Sequence, residues 1–79
     1  MIISYRKAKE MIKEYVFIAI CHYGSDASRL RKDINWQIVH LSHSIYTEKN
    51  EHGHKVREKV RANLWKFVEY EYPIVRKTK

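Results

Sequence analysis

From Tyr15 to Tyr23 the chain reads YVFIAICHY, with no charged residue and one openly polar one, His22. Before that run the pattern is amphipathic. Ala8, Met11, Ile12, Tyr15, Val16 and Ala19 share one helical face, and Arg6, Lys9, Glu10 and Lys13 share the other. Past Glu14 the charged face gives way to Phe17, Ile20 and Cys21. A segment apolar on every side needs covering on every side, so this half is expected to be buried all round, within the chain or by a second copy. A strand over Tyr15–Tyr23 is the competing reading, because Val, Phe, Ile and Tyr favour strands. No later stretch offers it a partner, since the remaining apolar residues follow helical spacing.

Leu30, Ile34, Ile38, Leu41 and Ile45 form the core stripe of a second helix, within about a quarter of its circumference. Trp36, Val39, His43 and Tyr46 make a second apolar ribbon on its far side. In the third segment Val56, Val60, Leu64, Phe67 and Val68 face inward, with Trp65 and Tyr72 at one flank. Lys55, Lys59 and Lys66 line the opposite side with Asn63 at the margin, while Arg57 and Arg61 lie nearer the apolar arc, stems buried and charges wet.

Two glycines and one proline punctuate the pattern. Gly24 follows the first apolar run, Gly53 lies in the polar run Thr47–His54, and Pro73 follows Tyr72. The spacing predicts helices over 5–22, 27–49 and 54–72, with Ser4 capping the first and Asp26 or Ser28 the second. The expected fold is an all-α, compact three-helix bundle in a single domain, 1–79, with a frayed basic tail over 74–79. At 79 residues a single core is marginal, and dimerisation is one way to complete it.

Composition narrows the chemistry. No apolar run approaches the ~20 residues that span a bilayer. Arg6, Lys7 and Lys9 ahead of the apolar run would suit a signal peptide, but Glu10, Glu14 and the bulky Ile20 before Cys21 weigh against it. A single cysteine allows no internal bridge, which points to a reducing, cytoplasmic setting. The net charge of +7 favours a polyanionic or acidic partner. Much of it sits late in the chain, where residues 51–79 hold eight Lys and Arg against four Glu.

Five histidines invite a metal reading, and His43, His52 and His54 could gather, but their spacing matches no known zinc pattern. Solvated or packed histidines are the expectation, without metal or cofactor. Cys21 and His22 are adjacent, so on a helix they diverge by about 100° and cannot pair as nucleophile and base. No phosphate-binding glycine loop is present, and no catalytic residue is assigned.

Nucleic-acid association is therefore the first functional expectation, through two basic surfaces. One is the opening of the second helix, with Arg29, Arg31, Lys32 and Asn35 after a short glycine turn, an arrangement loosely like a helix-turn-helix. The other is the stripe of Lys55, Lys59 and Lys66 with Arg57 and Arg61, suited to tracking phosphates. The alternative is a regulator or inhibitor that docks an aromatic helix face, Phe17, Trp36, Val39, His43 and Tyr46, onto a protein partner or a second copy.

Overall fold

The computed structural model describes residues 3–24 and 26–76. They form three helices, α1 (Tyr5–Tyr23), α2 (Ala27–Ile45) and α3 (Glu51–Glu71), followed by a 3-10 turn, Pro73–Val75. The three helices pack on one another, and the bundle expected from the apolar spacing is the fold. Tyr15–Tyr23 lies wholly within α1, which removes the strand alternative.

The core is the set of stripes read from the sequence. Ala8, Ile12, Val16 and Ala19 come from α1, Leu30, Ile34, Ile38 and Leu41 from α2, and Leu64 and Val68 from α3. Helix starts are fixed by side-chain caps: Ser4 Oγ accepts from the Lys7 N–H, and Asp26 Oδ1 from the Arg29 N–H. Gly24, at φ +63°, ends α1 in the left-handed region that a side chain disfavours. Across the turn, Tyr15 donates to Asp33 at 2.7 Å and the Ile3 N–H donates to the Ser44 carbonyl at 2.9 Å. These two contacts, spread over both helices, make α1 and α2 antiparallel neighbours along their whole length.

Three expectations are corrected. The second half of α1 is not buried all round: Phe17 and Ile18 are each 58% exposed, and Cys21 is exposed too. In a three-helix bundle each helix meets two neighbours on adjoining sides, so the arc turned away from both stays open whatever its composition.

Second, α2 stops at Ile45 rather than Lys49, and α3 begins at Glu51 rather than His54. Asn50 caps α3 by accepting from the Gly53 N–H at 2.8 Å, so Gly53 lies inside the first turn instead of in the loop. The buried Arg57 guanidinium donates to the carbonyls of Tyr46, at 2.9 Å, and Glu48. Those carbonyls find their donor in a side chain, and the extended connection replaces the last turn of helix.

Third, the segment expected as a tail over 74–79 begins with packed residues. Val75 is fully buried, its carbonyl accepts from Arg31, and Arg76 Nε donates to the Glu69 carbonyl at 3.2 Å. Residues 77–79 of the predicted tail lie outside the described residues.

Candidate functional site

The expected basic surface at the start of α2 is taken apart by the fold. Arg31 turns toward α3, where it pairs with Glu69 at 3.2 Å, stacks 4.4 Å from the Trp65 ring and holds the Val75 carbonyl. Asn35 faces the same way, its Oδ1 accepting from Trp65 Nε1 at 3.1 Å. Arg29 is exposed but engaged by Asp26 at 3.5 Å, which leaves Lys32 as the freest of the three cations. Because α2 lies flat against α1, it does not project as a recognition helix, and the helix-turn-helix likeness ends at the sequence.

On α3 the cations divide differently. Arg57 is 6% exposed and bonded to loop carbonyls, so it belongs to the scaffold and not to the surface expected for it. Arg61 is half-buried beside Ser42, with Nη1 3.5 Å from its hydroxyl. Lys55, Lys59 and Lys66 are exposed, and among the described residues none of them has a salt-bridge partner.

The reason lies in where the acids of α3 point. Glu58 is held by His54 at 3.1 Å, Glu69 by Arg31, and Glu71 by Lys13 at 3.1 Å. These three are drawn toward the flanks of the helix, away from the outward stripe, whereas the fourth acid, Glu51, is exposed in the first turn, four residues before Lys55. Lys55, Lys59, Ala62, Lys66 and Tyr70 recur at three- and four-residue steps and form one line on that stripe. From Lys55 to Lys66 the line runs about 16 Å. Tyr70, 75% exposed, closes its C-terminal end and was not singled out by sequence; the i+4 step from Lys66 was the available signal.

The aromatic ribbon also splits. Trp36 is 62% exposed and meets His40 edge-on with ring centroids 4.9 Å apart. Val39 is half-buried and His43 exposed. Tyr46 has left the helix, donates to Glu48 and packs edge-on against His52, so it is not part of a continuous helical ribbon. Partial desolvation lowers the His43 pKa below its ordinary value, with the charges of Arg57, Arg61, His40 and Lys49 acting the same way.

Phe17 and Trp36 do not meet. Phe17 borders an open groove of about 480 Å³ with Glu10, Lys13, Glu14 and Tyr72, whereas Trp36 borders another of about 380 Å³ with Tyr23, Arg29, Lys32 and Asp33. Among the described residues no three His, Cys, Asp or Glu side chains converge as a metal-binding set, and no helix is long and apolar enough to cross a membrane. No protein-family model, curated protein or solved structure matches the chain.

Proposed function

We propose that this is a non-catalytic, cytoplasmic regulatory protein that associates with nucleic acid through the outer face of α3. The observation that carries this reading is the line of Lys55, Lys59 and Lys66, exposed and without salt-bridge partners among the described residues, while three of the four α3 glutamates, Glu58, Glu69 and Glu71, are paired elsewhere. A row of unpaired ammonium groups on a rigid helix neutralises backbone phosphates and releases their counterions, which binds a duplex without reading bases. The arginines that could have forked onto guanine edges, Arg31 and Arg57, are committed to internal carbonyls, so the interface is a positioning one with little sequence preference.

Fluorescence anisotropy on a labelled duplex tests it. The expected dissociation constant lies in the non-specific range, about 1–100 µM, and weakens on replacing Lys55, Lys59 and Lys66 by Glu. Binding beyond that range, or binding indifferent to the three substitutions, rejects the reading.

The exposed Trp36 supports a second reading, a protein-interaction module, since large aromatics dominate binding hot spots. A chain without nucleic-acid affinity that captures a protein partner, and loses it on Trp36→Ala with the fold intact, would decide for this alternative.

A further inference from the structure

Arg29, Lys32, Trp36, His40 and His43 recur along α2 at three- and four-residue steps, and all of them are exposed. They form one line, about 21 Å long, on the open side of the helix. Arg31 and Asn35 point away from it to α3, and Ile34 and Ile38 away from it to the core. The line begins with two cations and continues with three ring side chains. Trp36 meets His40 edge-on, a contact that covers at most one face of the indole, and the indole is 62% exposed. It supports nothing inside the chain. Beside it lies the groove of about 380 Å³, whose far wall carries Tyr23.

Two carboxylates border the line, and both are engaged. Asp26 caps α2 and meets Arg29 through Nε, which leaves the Nη groups of Arg29 without a partner among the described residues. Asp33 accepts the Tyr15 hydroxyl through Oδ2 at 2.7 Å. From Ile34 to Ile45 the helix carries no acid. The charges around His43 are those of Arg57, Arg61, His40 and Lys49, all of one sign. A polyanion lying along the ring end of this line therefore meets positive potential and no opposing carboxylate on α2.

We propose that the outer face of α2 is a stacking platform for single-stranded nucleic acid, with one base laid on Trp36 in the groove and its flanking phosphates on Lys32 and Arg29. Exposed rings interleaved with cations suit a single strand, because every base offers a π-face to an aromatic side chain whatever its identity. His40 and His43 extend the row of rings for the bases that follow. Asp33 Oδ1, without a hydrogen-bond partner among the described residues, lines the same groove and accepts an amino hydrogen of the bound base. A duplex keeps its base faces stacked on one another and gains nothing here. The inference rests on the nucleic-acid reading but not on the α3 lysines, so the two faces fail separately.

Tryptophan fluorescence titrations of the full chain test it, with a short single strand, an abasic strand of equal phosphate number, a duplex and a free mononucleotide. The single strand quenches the emission of Trp36, over a constant background from Trp65, which is held by Arg31 and Asn35. The abasic strand binds roughly 5- to 150-fold more weakly and does not quench. Trp36→Ala weakens the single strand by the same factor, with unchanged circular dichroism and unchanged duplex affinity. Replacing Lys55, Lys59 and Lys66 by Glu removes duplex binding while single-strand quenching persists. Duplex affinity indifferent to those three changes, with quenching intact, fails the α3 reading and upholds this one. Quenching by the abasic strand, single-strand affinity indifferent to Trp36→Ala, or a mononucleotide that binds as tightly as the strand overturns the proposal.

Discussion

Gly53→Ala inverts the usual rule for helices and exposes the device that joins α2 to α3. Inside a helix, replacing Gly by Ala ordinarily gains up to about 1 kcal/mol, through a lower backbone entropy cost. At Gly53 a Cβ would stand 2.8 Å from the Glu48 carbonyl carbon, closer still to its oxygen, and 3.2 Å from the Glu48 Cβ. The atoms in the way are backbone, so the connection has to move. Moving it pulls the Glu48 carbonyl off Arg57 and disturbs the Asn50 cap on Gly53. A hydrogen bond from a charged donor contributes about 1.5–3 kcal/mol and a cap about 1 kcal/mol. Set against the helix-propensity gain, the net loss is about 1–3 kcal/mol, or roughly 5–20 °C in Tm for a domain of this size. Thermal melting by circular dichroism measures it directly. Arg57 donates to both carbonyls from Nη1, so Arg57→Lys, whose ammonium ends one bond short of that position, should cost a similar amount, and the two substitutions together less than their sum, because they break one motif. A Gly53→Ala variant that melts at or above the parent temperature refutes the reasoning.

Other outcomes follow from the same geometry. Phe17→Glu should fold with a Tm within a few degrees of the parent, since the ring is 58% exposed; a collapse in stability would mean that α1 is covered on that side. Arg31→Ala should release the Pro73–Val75 turn and red-shift Trp65 fluorescence, at a cost of about 1–3 kcal/mol, and unchanged emission counts against that docking. His43, with its folded pKa below the unfolded value near 6.5, contributes stability that is complete above pH 6.5 and is lost as pH falls toward the lowered folded value. His43→Gln should therefore flatten the fall in Tm between about pH 7 and 5, and an NMR titration midpoint for His43 at or above 6.5 contradicts the cause assigned to it.

The core was open to sequence reading because a 3.6-residue period says which side chains share a face, and every buried α2 apolar residue lay on the stripe so identified. Spacing does not say how many faces find neighbours. Phe17, Ile18 and Cys21 carried the composition of a buried helix and lie outside it, because two neighbours cover only part of a circumference. The α2–α3 junction was hidden for another reason. Its boundary depends on Arg57, seven residues beyond the Asn50 cap, reaching back to loop carbonyls, a contact no local pattern announces. Gly53 was read as a stop signal when its role is to leave room for Glu48. Of the basic residues, charge alone made Arg31 and Arg57 candidates for a ligand. Both proved to be internal donors, and the lysines kept the free surface.

The salt dependence of nucleic-acid affinity tests the central claim most directly. With three lysines on phosphates, log Kd should rise with log salt at a slope near 2.7, about 40-fold between 50 and 200 mM. Each Lys→Gln change at Lys55, Lys59 or Lys66 should lower that slope by about 0.9, whereas Arg57→Lys should leave it unchanged among the molecules that remain folded. A flat salt profile, or a slope that the three lysine substitutions do not reduce, would contradict the assignment of α3 as the phosphate-binding face.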